Sequence, residues 1–555
     1  MRAARLLTSL CVLGAVWGLV GIAHAKPQQP QQAKRPKLVV FIAIDGLPQR
    51  QVLAYRDQLA PDGFNRFLQR GTWFADAHYG HAHTVTGAGH ATMLTGAYPH
   101  RTGIISNEWR DAQTGAREYC AGDTTATYIG HATDALDGTS PKNLKVETVG
   151  DVLRRVSPQS KVIAISGKDR GAILPAGKTG TAYMYMGSSG QFASTTYYMQ
   201  EHPAWVNAFN AAKPADRYFR REWTALLPEA AYARSVPDNQ PWFGPAGGGL
   251  PARFSAPDDT APGPNFYGSL LRGPFGDALA LDFARAALAG ELLGQDSAPD
   301  ILSISLSGHD YVNHAFSAES RLSHDHVLQL DRLLQNFWRD LDAQVGKDQY
   351  VVVLTADHGF MPAVEYSASQ GHASGKVDGT QSLARISQGL EQQFGPGKWL
   401  LGNSGSALLL DKRLMASKGL DANAVAEAAR TLLLAEPGFA AAYTRAELLS
   451  ASRANEPLFA PLRKSWHADV SGDVQYALKP YWMFAGRAVA THGSPYAYDT
   501  HVPLLAYGPA WIGRARVDRR VEVVDIAPTL AALLGIDPPA TSEGKPLPVA
   551  KPARR

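Results

Sequence analysis

Three aspartates, two histidines, a lysine and an arginine stand at or just beyond the ends of four apolar runs. Asp45 follows KLVVFIAI, Lys168 and Arg170 follow KVIAIS, Asp310 and His314 follow ILSISLS, and Asp357 and His358 follow YVVVLTA. Carboxylate oxygens and imidazole nitrogens together suit zinc and similar divalent ions. Asp310 and His314 are spaced i, i+4, so they share one face if a helical turn follows the run. Lys168 and Arg170 alternate and would share a face of an extended chain, a compact charge beside a fork that matches phosphate oxygens. Singly, each has a commonplace reading: Asp before Gly makes a turn, and Asp after a strand caps a helix. Jointly they describe a metal-assisted hydrolase.

Two loop segments add to this set. HTVTGAGHATMLTG carries no acidic or basic side chain other than His. It reads as a loop feeding a helix N-terminus, where free N–H groups favour an anion. Thr84 and Thr86 supply its hydroxyls, which become nucleophiles only when a metal or base removes their proton. His492, in THGSPYAYDTHVP, brings the total to three Asp and three His at separate loop ends, enough for two metal sites. His81 and His83 lie so near the threonines that they read as wall residues. His324 and His326 fall in a helical pattern and read as surface. Other chemistries find no support: there is no His-Glu-x-x-His or Gly-x-Ser-x-Gly, and GAILPAGKT has one residue too many between its glycines for a P-loop.

The elements that must hold these residues follow from the runs themselves. Continuous β-branched apolar runs read as strands buried on both faces, as in a parallel sheet, whose ligand crevice lies at the carboxyl ends. Helical periodicity in DALALDFARAALAGELLG and RLSHDHVLQLDRLLQNFWRDLDAQV precedes two of them, which is βαβ-like alternation. HVPLLAYG reads as a further strand. Asp525, Pro528 and Gly535 bracket a short helix. The expected fold is an α/β/α sandwich around a large, mostly parallel sheet. Because the candidate residues spread from Asp45 to His492, one domain over 26–555 with insertions near 175–275 and 365–490 explains them better than a string of domains.

Residues 1–25 have a basic start, an apolar core and an Ala-His-Ala ending, the pattern of a cleaved export signal. The expected product is periplasmic or secreted, with no membrane anchor. Removing the two arginines of that segment lowers the formal net charge from +4 to +2, too little to imply a nucleic-acid partner. Cys11 leaves with the signal, and Cys120 has no intramolecular partner, so no disulfide framework forms.

On these motifs the chain resembles the alkaline phosphatase superfamily, in particular bacterial alkaline phosphatases with a threonine nucleophile, allied to the type I phosphodiesterases and nucleotide pyrophosphatases. The likeness runs over essentially the whole mature chain. It implies Thr86, the second Thr of T-x-T, as nucleophile and a phosphothreonine intermediate. It assigns one of two zinc ions per subunit to Asp45, Thr86, Asp357 and His358, and the other to Asp310, His314 and His492. It places Asn107 on a phosphoryl oxygen and matches Lys168 and Arg170 to the Lys-x-Arg pair of monoesterases. The expected substrates are small phosphate monoesters, with a phosphodiesterase or nucleotide pyrophosphatase on the same site as the alternative. Oligomeric state is not legible in the sequence.

Overall fold

The apolar runs become the centre of one mixed sheet. In a computed structural model, residues 35–243 and 247–552 are described; the expected export signal lies outside them. The strands are β1 (Leu38–Ile44), β2 (Thr72–Phe74), β3 (Val162–Ser166), β4 (Thr181–Met186), β5 (Gln191–Ala193), β6 (Asp300–Leu306), β7 (Tyr350–Thr355), β8 (Leu504–Tyr507) and β9 (Ala515–Val517). They form a nine-stranded sheet in the order β9-β2-β8-β7-β1-β6-β3-β4-β5. The five strands from β7 to β4 are parallel, with Val40 of β1 opposite Leu302 on one side and Val352 on the other. The HVPLLAYG strand, β8, runs antiparallel to both neighbours, as β5 does to β4.

Six helices matter for the site: α1 (Thr86–Thr95), α2 (Asp169–Ala176), α3 (Pro274–Gly290), α4 (Gly308–Phe316), α5 (Arg321–Gln344) and α6 (Ile526–Leu534). The period-2 alternation of strand side chains sorts them into two layers. Ala164, Ala182 and Met184 pack with Ala91 of α1 and Ala172 of α2, whereas Ile163, Ile165 and Tyr183 pack with Leu279 and Phe283 of α3. Small residues on the first face let α1 and α2 approach closely. β1 and β6 are buried along their whole length: β1 is apolar throughout, and after Asp300 β6 is interrupted only by the small, buried Ser303 and Ser305. α6 ends on Gly535 in the left-handed conformation, the expected stop.

Between 365 and 490 an antiparallel sheet of Leu400–Ser404, Ala407–Leu410, Val474–Leu478 and Phe439–Thr444 packs with the helices Gly379–Phe394 and Ala422–Ala435. It has its own apolar core around Leu390, Trp399 and Val425. Between 175 and 275 the chain first supplies β4 and β5 to the central sheet, so the expected insertion contains two core strands. β4 (TAYMYM) mixes aromatic and thioether residues and lacks the β-branched run that marked the others.

His324 and His326 are buried, not on the surface. His324 stacks on Tyr55 with ring centroids 3.5 Å apart, and His326 Nδ1 lies 3.1 Å from His309 Nδ1. The segment around Trp223 and Tyr232 covers this face of α5: Trp223 Nε1 donates to Asp325 Oδ2 at 2.6 Å. Helical periodicity sees only the helix's own pattern, not a distant loop laid over it.

Candidate metal centre and phosphoryl site

All four strand ends named from the sequence open onto one place. The backbone N–H of Asp45 donates to Leu306 O at 2.9 Å as β1 and β6 part. The next residue, Gly46, donates its N–H to Asp357 Oδ1 at 3.0 Å and accepts from Asn313 Nδ2 at 3.0 Å. Gly46 has φ +71°, and a Cβ there would sit 3.1 Å from Asp310 Cα, so only glycine lets these strand ends come together. α4 continues from β6 and turns Asp310 and His314 to the same side, with His314 Nε2 3.3 Å from Asp310 Oδ1.

The side chains converge from there. His358 Nε2 lies 3.5 Å from both Asp45 Oδ1 and Asp357 Oδ2, and His492 Nε2 lies 3.5 Å from Asp310 Oδ1. The His358 and His492 rings stack at 3.4 Å. Two groups, Asp45–Asp357–His358 and Asp310–His358–His492, each bring their ligand atoms within 4.8 Å of one another. The donor chemistry fits divalent cations. Asp45 Oδ1, Asp310 Oδ1, Asp357 Oδ2 and His358 Nε2 are buried without a hydrogen-bond partner among the described residues, and Asp45 Oδ2 meets the Lys168 ammonium; leaving such groups unmet costs about 1–3 kcal/mol each, more when charged. Each histidine also has its outer nitrogen tied to a backbone carbonyl: His314 Nδ1 to Ala490 O at 3.0 Å, His358 Nδ1 to Gly359 O at 2.8 Å and His492 Nδ1 to Thr84 O at 2.8 Å. A carbonyl can only accept, so Nδ1 carries the proton and Nε2 presents its lone pair inward, the orientation a metal needs.

Charge is concentrated here. Burial, followed by the neighbouring Asp357, pushes the Asp45 carboxyl well above the usual carboxylate range. Burial would raise Asp310 too, but Lys168 and then His314 hold it well below that range. Lys168 Nζ sits 2.7 Å from Asp45 Oδ2 and 2.5 Å from Asp310 Oδ2, which raises its own pKa against the effect of burial. The Lys168 ammonium thus lies between two carboxylates. Three buried carboxylates demand positive charge, and the end of β3, next to β6, is where a long cationic side chain reaches them. Nor do Lys168 and Arg170 lie on one extended stretch: Lys168 is extended, with φ −113° and ψ 137°, but Arg170 is already in the first turn of α2.

Thr86 is the first residue of α1 and is buried. Asn107 accepts the Gly87 N–H at Oδ1, 2.7 Å away, which fixes its amide so that Nδ2 remains a donor beside Thr86. The helix is held close to β7: a Cβ on Gly89 would meet Asp357 O at 2.1 Å. Arg170 donates to the Tyr119 hydroxyl at 3.1 Å, and that hydroxyl donates in turn to Asp169.

Several site residues escaped the sequence reading. His90 Nδ1 lies 2.9 Å from Thr86 O and 3.2 Å from Asp357 Oδ2, and its Nε2 lies 2.8 Å from Ser305 Oγ, so it links the threonine's turn to the ligand cluster. Its i+4 spacing from Thr86 was the available signal. Tyr119 and Asn313 carried none, because only the folded chain brings them near. Cys120 is a free, buried thiol pushed up to about 12 by burial, and is therefore inert.

Known proteins match this architecture. A family profile described as type I phosphodiesterase / nucleotide pyrophosphatase matches residues 39–494. Alkaline phosphatase PafA of Elizabethkingia meningoseptica is 32% identical over 525 residues, 94% of this chain and 95% of the relative. Alkaline phosphatase PhoV of Synechococcus elongatus is 32% identical over 558 residues, 98% and 99% of the two chains. The crystal structure of wild-type PafA superposes with a TM-score of 0.85 at 31% identity, covering 93% of this chain and 98% of that one. The chain belongs to the alkaline phosphatase superfamily, as a PafA/PhoV-type alkaline phosphatase, a phosphoric monoester hydrolase, related to the type I phosphodiesterase / nucleotide pyrophosphatase family.

Proposed function

We propose that this enzyme is an exported, zinc-dependent phosphatase that hydrolyses phosphate monoesters through a phosphothreonine at Thr86. The observation that carries the reading is the pair of ligand groups, with unpartnered buried oxygens, beside the first turn of α1. Asp45, Thr86, Asp357 and His358 would hold one cation and Asp310, His314 and His492 the other, supplying Lewis-acid charge for the nucleophile and the departing oxygen.

Thr86 Oγ attacks phosphorus in line as the bond to the ester oxygen breaks, and the alcohol leaves. Asn107 Nδ2 and the first-turn N–H groups of α1 orient the non-bridging oxygens, whose charge must be met throughout. Arg170, aimed by Tyr119, adds a fork to the same oxygens. Divalent cations held by the carboxylates would neutralise Asp45 and Asp310, which would leave the Lys168 ammonium available to a phosphoryl oxygen. Water then attacks the phosphothreonine, releases phosphate and restores the hydroxyl.

A solved variant of PafA carries substitutions at one Thr, one Asn, one Lys and one Arg, the four residue types given these roles here. The family profile favours a second reading, a phosphodiesterase or nucleotide pyrophosphatase with the same ligands. A monoester dianion presents three terminal oxygens and a diester two, so the Lys168–Arg170 pair supports the monoesterase. Thr86→Ala is expected to keep two metal ions per chain while turnover of an aryl phosphate falls by at least about a thousandfold. Undiminished turnover in the variant would remove Thr86 as nucleophile.

A further inference from the structure

Beside the ligand cluster a cavity of about 510 Å³ separates the central sheet's crevice from the four-stranded unit. Val85 and His492 form its inner end, one residue from Thr86 and within the ligand set respectively. Its outer wall is Tyr476, Trp482 and Phe484, with the thioether of Met361 opposite. Tyr476 is buried in the core of the four-stranded unit, and Trp482 and Phe484 are half-buried, so part of the last two rings is offered to whatever enters. Arg487 stands at the rim, exposed, with no hydrogen bond or ion pair among the described residues; the rim carboxylate Glu108 is already engaged by Arg117.

We infer that this cavity is the leaving-group subsite, that it takes the ring of an aryl phosphate, and that Arg487 reads an anionic substituent on that ring. The inference rests on the proposed role of Thr86 and His492. A group departing from phosphorus opposite Thr86, on the His492 side, moves toward this space. Its size is within the range of small-molecule sites, about 300–1,000 Å³. Planar aromatic walls gain about 0.5–1.5 kcal/mol from a ring beyond the area it buries, which a methyl or ethyl group cannot return. An unpaired guanidinium at the mouth attracts a carboxylate without any buried charge having to be desolvated.

The test uses the metal-loaded enzyme with phenyl, 4-carboxyphenyl and methyl phosphate, and with phenylphosphonate and methylphosphonate as inhibitors. Phe484→Ala is expected to lower kcat/KM for phenyl phosphate, and to weaken phenylphosphonate, by about tenfold; the two methyl compounds should respond as in the parent. Comparing variants on one substrate removes the influence of leaving-group basicity. Arg487→Gln, at an exposed position, should lower kcat/KM about two- to fivefold for 4-carboxyphenyl phosphate alone. Equal losses on methyl and phenyl compounds, or no loss on either, overturn the subsite. If Phe484→Ala does not fold, Arg487→Gln decides by the same contrast between carboxylated and plain rings. A failure of the nucleophile assignment would appear separately, as turnover that survives Thr86→Ala, while phosphonate inhibition still reports the cavity.

Discussion

At the carboxyl edge of the central sheet, Asp45, Asp310 and Asp357 are buried charges aimed by strand ends, by Gly46 and by histidines tied to carbonyls. In the four-stranded unit next to it, Leu390, Trp399 and Val425 are buried apolar side chains packed on one another. The first region gains function from groups that are costly to bury and need a partner from outside the chain. The second gains stability from groups that need only each other. The two sets lie on different elements: the candidate ligands on strand ends and the His492 loop, the apolar core within the four-stranded unit.

The sharpest way to break this comparison is to take away the outside partner. Stripping divalent ions with a chelator should abolish turnover and lower the unfolding midpoint, because three buried carboxylates lose their neutralising charge. Added zinc should restore both. Turnover that persists in metal-free protein would mean that the cluster is structural. The double substitution Lys168→Ala and Arg170→Ala comes next, with an expected loss of about 100- to 1,000-fold on a monoester and a clearly smaller one on a bis-aryl diester. Similar losses on both would leave the diesterase reading ahead. On the other side of the comparison, Leu390→Ala should cost about 2–5 kcal/mol of stability and leave kcat per folded molecule within twofold of the parent, read by denaturant unfolding and active-site titration. A large change in kcat would show that the two regions are coupled.

The smallest effect concerns a buried imidazole with no hydrogen-bond partner among the described residues. His81 is fully buried, neither ring nitrogen is hydrogen-bonded among the described residues, and burial lowers its pKa to about 3. The unfolded chain binds that proton near the ordinary pKa of about 6.5, so the unfolded state gains protons first as pH falls. The stability contributed by neutral His81 is complete above about 6.5 and is lost progressively toward 3. The slope is at most about 1.4 kcal/mol per pH unit. His81→Leu should flatten the decline in urea midpoint between pH 7 and pH 5. An unchanged decline would place the acid sensitivity elsewhere.

Residues that combine a strand end with a metal-binding side chain were readable in the sequence, because a parallel strand announces itself by an unbroken apolar run and its end must open on the crevice. Asp45, Asp310, His314, Asp357 and His358 all fall in this class. His492 lay in a loop with no such frame and gained meaning only from the ligand count. His90 sat in a segment already singled out, yet its contact with Asp357 depends on how closely α1 docks, which Gly89 permits. The burial of His324 and His326 and the antiparallel setting of β8 were hidden for a shared reason: each depends on a segment distant in sequence that no local pattern announces. The position of Lys168 between two carboxylates belongs to the same kind, a balance of charges that exists only once the strand ends have met.

The placement of β8 has a consequence in time as well as in space. This strand, Leu504–Tyr507, lies between β2 and β7, and His492 comes shortly before it, so both the sheet's continuity and the candidate ligand set wait until the chain has been made past residue 507. A polypeptide that stops before His492 lacks that candidate ligand and the strand that joins β2 to β7. Synthesis thus acts as its own safety catch: a fragment that stops before His492 holds only part of the candidate metal cluster.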